Sequence, residues 1–199
     1  MRADQLRAVL AGPWRHGQAA DLRGLEVSEP VDLRGLTLGG FDLRGSHFGA
    51  DVLAQGATFA GLSWFGGCRF DAGLDLTGAL FVNDARFEDC RLDGPLRLSG
   101  AEFRGIARLD RARLSGPAAL DGMTCYGNLS LDETAFLAPT DLSGSECLGG
   151  VWANRAQFTL GSDFAGTQVH GRLWLRGARE GEAALREARF GLSYGYTYL

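Results

Sequence analysis

The sequence lacks the features of several common protein classes. No apolar run reaches 18 residues, and the opening segment Met1-Arg2-Ala3-Asp4-Gln5-Leu6 contains no long apolar stretch. The 20 basic residues are outnumbered by 24 acidic ones, and a net charge of −4 argues against a general nucleic-acid binder. Four cysteines without a Cys-X-X-Cys motif do not indicate a secreted disulfide framework. We therefore expect a cytoplasmic protein that binds neither membrane nor nucleic acid directly.

A 22-residue period is what the sequence does contain. Pro95, Pro117 and Pro139 fall 22 residues apart, and Gly73 and Gly161 extend the series by one step each way. Proline fixes its own backbone and has no N–H to donate, so it suits a corner better than a central strand. Thirty glycines also indicate many tight corners. The period predicts a coil that visits one corner once per turn.

A finer repeat of five or six residues divides each period into four. Each unit has a large apolar centre flanked by polar residues and usually ends in glycine, as in residues 96–100 and 112–116. Period-2 alternation then predicts that the centre and the residue two before it point inward. The predicted centres are 22, 27, 33, 38, 43, 48, 53, 59, 64, 70, 76, 81, 87, 92, 98, 103, 109, 114, 120, 125, 131, 136, 142, 147, 153, 158, 164, 169 and 175. Residues 50–57 are the least regular, and the register could slip by one there.

The units resemble the pentapeptide-repeat family, whose motif is A(D/N)LXX. Residues 20–24, 41–45 and 140–144 match it closely, and the resemblance covers residues 20–177. It implies an all-β solenoid, a right-handed four-sided β-helix. The coil of 22 residues departs from the 20 of uninterrupted pentads. We expect an extra residue at two corners of each coil, namely at Pro95, Pro117 and Pro139 and at Asp84, Ile106, Asn128, Gly150 and Arg172.

Segments at both ends fall outside the repeats. Residues 1–19 predict a short capping helix, with Leu6, Val9 and Leu10 on one face, and a linker. Residues 178–199 predict a helix over 181–190 that closes the last coil, followed by a strand. In that strand Leu192, Tyr194, Tyr196 and Tyr198 share one face. This strand could pair with its copy in a homodimer through the carboxyl end, or fold back over Trp152 and Trp174 in the same chain.

No catalytic constellation, metal site or cofactor site is visible. His16, His47 and His170 are isolated, and Cys68 with Cys90, like Cys125 with Cys147, lie 22 apart at inward positions, where core filling is expected. Outward columns hold arginines at 69, 91, 113, 86 and 108 beside acids at 71, 93, 88, 110 and 132, which predicts a lattice of exposed ion pairs.

The function indicated is a non-catalytic protein-binding or structural module. The resemblance implies an alternative, because some family members mimic B-DNA, bind DNA gyrase or topoisomerase IV and protect it from inhibitors such as quinolones. A more acidic side would then carry the contact: Asp121, Asp141, Asp163, Glu102 and Glu146. A duplex carries about one negative charge per 1.7 Å, far more than a net charge of −4 supplies.

Overall fold

The structure, a computed structural model, describes residues 1–199 and consists of a four-sided parallel β-solenoid of about eight turns. Each side is one parallel sheet, here called sheets 1 to 4 in the order in which the chain visits them. Nine strands in sheet 1, spaced at about 4.8 Å, give a rod of about 38 Å. The predicted centres from residue 22 to residue 175 account for about seven turns, and the tail completes a further one.

The strands are two or three residues long. Sheet 1 contains Ala19–Asp21, Gly40–Asp42, Ser63–Trp64, Ala85–Arg86, Ala107–Arg108, Leu129–Ser130, Gly150–Trp152, Arg172–Trp174 and Thr197–Tyr198. Sheet 2 contains Glu26–Val27, His47–Phe48, Arg69–Phe70, Arg91–Leu92, Arg113–Leu114, Ala135–Phe136, Gln157–Phe158, Arg179–Glu180 and Ala183–Ala184. Sheet 3 contains Val31–Asp32, Val52–Leu53, Leu74–Asp75, Leu96–Arg97, Ala118–Ala119 and Thr140–Asp141. Sheet 4 contains Thr37–Leu38, Thr58–Phe59, Leu80–Phe81, Glu102–Phe103, Thr124–Cys125, Glu146–Cys147, Gln168–Val169 and Leu192–Ser193.

Two kinds of corner explain the alternation of five- and six-residue steps. Five-residue steps have tight turns whose second residue has a positive φ, as at Gly78 and Gly100. Six-residue steps have open bends in which an extra residue, such as Pro95 or Ile106, precedes the next strand. The predicted widened corners are therefore confirmed. Most pairings join residues 22 apart, such as Arg69 with Arg91.

The core is a set of columns running along the rod axis. Residues 92, 98, 103 and 109 are each at most 2% exposed, as the alternation predicts. Phenylalanine rings stack from coil to coil, with Phe59–Phe81 centroids 4.3 Å apart and Phe81–Phe103 centroids 4.7 Å apart. No coil can bury its own centre, so each turn is stabilised by its neighbours.

Two predicted centres are wrong, one within the irregular segment 50–57 and one shortly after it. Ala54 and Phe65 are buried, whereas Leu53 and Trp64 lie on the outer surface. The first turn has 21 residues, since Val31 pairs with Val52, and the next has 22, since Val52 pairs with Leu74. From Phe48 to Phe70 the steps between buried centres are therefore 6, 5, 6 and 5 residues, the reverse of the predicted order, so Phe48, Phe59 and Phe70 keep their predicted places while the two centres that lie between these three move one residue along the chain.

The ends of the rod are closed differently. An amino-terminal helix, Ala3–Leu10, buries Leu6 and Leu10 against the first coil, while Val9 is 46% exposed, contrary to its predicted place on the buried face. The predicted helix over 181–190 is wrong. Ala183–Ala184 pairs antiparallel with Arg179–Glu180, and only a 3-10 turn, Glu187–Arg189, follows.

Burial explains why the carboxyl-terminal segment is extended. Leu185 and Phe190 are the apolar contacts that cover the last coil, and they are 2% and 8% exposed. Five residues along an α-helix would separate them by about 140° around its axis, so one would face solvent. The hairpin and the 3-10 turn allow both to reach the core.

The predicted tail strand is divided between two sheets. Leu192–Ser193 extends sheet 4 and Thr197–Tyr198 extends sheet 1, with a corner at Gly195 between them. Strands of the coil therefore run from Ala19 to Tyr198, beyond the predicted boundary at residue 177.

Candidate protein-binding surfaces

Outward charges form the predicted ion-pair lattice over much of the rod. Arg69 Nε lies 2.5 Å from Asp71 and its Nη2 lies 3.4 Å from Asp93, one coil further on. Arg108 Nη1 lies 3.6 Å from Glu88. Every basic residue is arginine, since the chain contains no lysine. Exposed pairs of this kind contribute about 0–1 kcal/mol each, so the lattice mainly offsets repulsion between like charges in one column.

The predicted acidic side divides into two parts. Asp141 and Asp163 are bridge partners in one outward column of sheet 3, Asp121 lies at the corner that follows the sheet 3 strand one coil earlier, and no cation is within ion-pair distance of the three. Their oxygens accept local bonds instead, including 2.6 Å from Ser99 Oγ to Asp121. On sheet 4, Glu102 is paired with Arg104 at 2.8 Å, and Glu146 lies 2.9 Å from a nitrogen of His170. The three aspartates, which we call the sheet 3 carboxylates, are therefore the uncompensated part.

An aromatic surface occupies the carboxyl end. It consists of Trp152, Trp174 and Tyr198 in one outward column of sheet 1, Leu192 and Tyr194 on sheet 4, and Tyr196 at the corner between them. Tyr198 stacks on Trp174 with ring centroids 3.9 Å apart, and Tyr194 stacks on His170 at 4.8 Å. The tail thus packs over Trp174 in the same chain, yet Tyr194 and Tyr196 remain 61% and 79% exposed.

Trp64 is a surface residue that the sequence pattern did not reveal. It lies in the same outward column of sheet 1 as Trp152 and Trp174, and the Arg44 guanidinium lies over its ring at 5.0 Å. Three of the four tryptophans therefore share one face. The sequence Ser63-Trp64-Phe65 could have revealed it, because two adjacent aromatic residues can each be the inward centre of a repeat. If Phe65 is the centre, Trp64 points outward.

His47 links three coils of sheet 2. Its Nδ1 lies 2.7 Å from Glu26 on the preceding coil and its Nε2 lies 2.8 Å from Asp71 on the following one. The hydrogen bonds to Asp71 and Glu26 raise the pKa of His47, while the bonds from His47 and Arg69 lower the pKa of Asp71. The charged imidazolium is therefore the form that the folded coil favours.

This contact predicts a pH dependence of stability. A raised folded-state pKa means that the His47 contribution is complete below the unfolded value of about 6.5 and is lost as the pH rises through the folded value. We expect the free energy of unfolding, measured by urea denaturation from pH 5.5 to 8.5, to fall over this range by less in His47→Gln than in the parent. His16→Gln, outside any ion pair, should retain the parental slope. Equal slopes in all three proteins would contradict the prediction.

The cysteines do not form a reactive site. All four are free and buried, and the Sγ atoms of Cys68 and Cys90 each donate to a carbonyl oxygen at 3.0 Å. Burial raises the pKa of Cys68 to about 12 and that of Cys125 to about 11, so thiolate is scarce at neutral pH.

No group of three or more His, Cys, Asp or Glu side chains is arranged to hold a metal ion. The protein contains no α-helix with the length and hydropathy of a membrane span.

A stack of short parallel strands turned through four corners defines a repeat solenoid. Residues 33–80 match the family model for pentapeptide repeats, described as nine copies, and the same coil continues on both sides of that match. Pentapeptide repeats, which the motif predicts, are thus shown for residues 33–80, within a coil of the same geometry whose strands run from Ala19 to Tyr198.

Three solved structures that the chain matches are only 16–18% identical to it in sequence. No curated protein matches the chain. Among solved structures, two trypsin-treated variants of QnrB1, a plasmid-mediated fluoroquinolone resistance protein, have TM-scores of 0.26 and 0.33 at 17% and 16% identity. These matches cover 93% and 90% of this chain, and 92% of the other chain in each case. HetL, from the cyanobacterium Nostoc sp. strain PCC 7120 and involved in heterocyst differentiation regulation, has a TM-score of 0.19 at 18% identity, covering 98% of this chain and 93% of its own.

Proposed function

We propose that this protein is a non-catalytic, cytoplasmic protein-binding rod that engages its partner through the aromatic surface at the carboxyl end. The observation that carries the proposal is the exposure of Leu192, Tyr194, Tyr196, Tyr198 and Leu199, five large side chains within eight residues. Exposed apolar patches of this kind mark contact sites, and tyrosine and tryptophan are enriched at interfaces. The stacked rings hold the surface rigid, which lowers the entropy cost of binding.

The partner that this surface fits best is a second copy of the chain. Leu192–Ser193 and Thr197–Tyr198 are the last strands of their sheets, so each has one edge without a strand partner. Free strand edges pair readily with other chains, and a two-fold axis is the commonest symmetry of oligomers. A carboxyl-end homodimer would cover both the edges and the tyrosines.

Light scattering on a tyrosine double variant tests the dimer. We expect the parent protein to have the mass of a dimer and Tyr194→Ser with Tyr196→Ser to be a folded monomer, because both side chains are mostly exposed and contribute little to the coil. Tyr126→Ser, which removes a 53% exposed tyrosine in the middle of the rod, is the matched control and should stay dimeric. A monomeric parent protein would rule out the dimer and leave the surface to a different protein.

A second candidate is binding to a type II topoisomerase, DNA gyrase or topoisomerase IV, with protection from inhibitors such as quinolones. The sheet 3 carboxylates favour it, because they are uncompensated while most other carboxylates are paired with arginines. A basic partner could bind these carboxylates without first breaking an ion pair within the protein. The mixed lattice on sheets 1 and 2 confines any mimicry of DNA to sheet 3 and the Glu102 and Glu146 side beside it.

A gyrase supercoiling assay tests this candidate. If it is correct, the parent protein should alter supercoiling or quinolone-trapped cleavage at micromolar concentration. Asp121, Asp141 and Asp163 replaced together by asparagine should abolish that effect, while the amides still accept the local hydrogen bonds. The control changes Asp4, Asp21 and Asp93, which are already ion-paired, and alters the net charge equally. No effect of the parent protein, or equal loss in both variants, would count against a specific contact.

A further inference from the structure

An open notch interrupts the corner between sheets 1 and 2. The corner is formed by a pair of adjacent residues on every coil, and side chains project from the pairs that follow, such as Glu88-Asp89 and Asp110-Arg111. Gly66-Gly67 is the one pair in this column without any side chain. The space beside this pair is about 540 Å³.

The fold does not require both glycines. A Cβ at Gly66 would meet nothing closer than 3.5 Å, and its φ is not in the left-handed region. Gly67 has a φ of 66°, but Asp89 and Arg111 hold the equivalent conformation with full side chains. The backbone conformation therefore favours glycine at 67, whereas neither packing nor backbone geometry explains the glycine at 66.

The lining of the notch has more hydrogen-bond donors than acceptors. Arg44, Arg86 and Arg111 surround it, with Trp64 beside them. Arg44 uses Nε and Nη2 on Asp42, and Arg111 uses the same two nitrogens on Asp89. Arg86 has only one long bond, 3.4 Å to Asp84. Nη1 of Arg44 and of Arg111 is thus left without a hydrogen-bond partner, and Nη1 of Arg86 lies 3.9 Å from Glu88, beyond hydrogen-bond distance.

The two carboxylates that line the notch are already engaged. Asp89 accepts two bonds from Arg111, at 2.7 and 2.8 Å, and Glu88 lies within 3.9 Å of both Arg86 and Arg108. An arriving group must therefore supply acceptors. A carboxylate matches the planar fork of a guanidinium, and an indole provides apolar contact for the stem that carries it.

We propose that the notch at Gly66-Gly67 receives an acidic side chain from an extended segment of a partner protein. The carboxylate binds the free guanidinium nitrogens, and the adjoining apolar group packs against the part of Trp64 that lines the notch beside Arg44. This contact lies in the amino-terminal half of the rod, so it is separate from the aromatic surface and stands whether or not the protein dimerises.

Fluorescence anisotropy of a fluorescein-labelled Glu-Tyr copolymer, titrated with the full-length protein, tests the proposal. We expect saturable binding at physiological salt despite the net charge of −4, and none to a Gln-Tyr copolymer, which has no carboxylates. Gly66→Gln fills the notch without changing charge and should weaken binding about tenfold or more. Gly49→Gln, at a corner where a Cβ also meets nothing closer than 3.7 Å, should bind like the parent.

A second variant guards against a folding defect. Arg86→Gln removes a guanidinium that makes only long contacts, so it should keep the parental melting temperature and also weaken binding about tenfold. Parental affinity in Gly66→Gln and Arg86→Gln would overturn the proposal. Competition by polyphosphate as effective as by unlabelled copolymer would overturn it too, because it would show attraction to any anion and not recognition of a carboxylate.

Discussion

Replacing Leu120 with alanine should lower the free energy of unfolding by about 2–5 kcal/mol. Leu120 has 0% exposure and lies in a column of inward side chains with Leu98 and Leu142 on the neighbouring coils. The backbone around it is fixed by hydrogen bonds to both neighbouring coils, so it cannot collapse into the space left behind. Urea denaturation at neutral pH, followed by circular dichroism, measures the loss.

Arg108→Ala provides the comparison for an outward residue. Its side chain is 29% exposed and lies 3.5 Å from Asp110 and 3.6 Å from Glu88, and removing these contacts should cost less than about 1 kcal/mol. Equal losses in the two variants would show that the ion-pair lattice stabilises the rod as much as the core does.

Gly149→Ala should be among the most damaging single changes, at about 3 kcal/mol or more. Gly149 belongs to a ladder of glycines at the corner between sheets 4 and 1, in which each glycine packs on the backbone of the one before. A Cβ at Gly149 would lie 2.4 Å from the carbonyl carbon and oxygen of Gly127. Gly171 in turn packs on Gly149, so a shift of one coil displaces the next.

Gly49→Ala is the matched control for this close approach. Its Cβ would meet only Ser28 and Val27 at 3.7 and 3.9 Å, so the change should stay within about 0.5 kcal/mol. Both variants are measured by thermal melting and urea denaturation. A Gly149→Ala protein as stable as the control would mean that neighbouring coils separate easily at this corner.

The repeating part of the fold could be predicted from the sequence because one physical rule applies to every unit. A large apolar residue between polar neighbours has only one face to bury, so Leu92, Leu98, Phe103 and Leu109 were assigned correctly. The rule fails where adjacent residues are equally apolar. Val52, Leu53 and Ala54 offer two registers, and only the length of the preceding turn decides between them.

The ends of the rod were harder to predict than its middle because no repeat constrains them. The helix pattern of residues 181–190 is locally sound, yet tertiary burial of Leu185 and Phe190 overrides it. The pairing of charged side chains on the outer surface was equally hard to predict. Which side chains point outward followed from the period, whereas the pairing of Arg104 with Glu102 and the absence of a cation beside Asp163 depend on rotamers.

The nearly constant pairing distance has a kinetic consequence. Cross-coil pairs join residues 21 to 24 apart in sequence, from Ala19 with Gly40 to Leu173 with Thr197, so forming each turn closes a loop of nearly the same length. Because the entropy of closure depends on that length, every added turn meets a similar barrier. Once two neighbouring turns have folded, the remaining turns can therefore add one at a time in either direction. The folding rate should then depend only weakly on how many turns the rod contains.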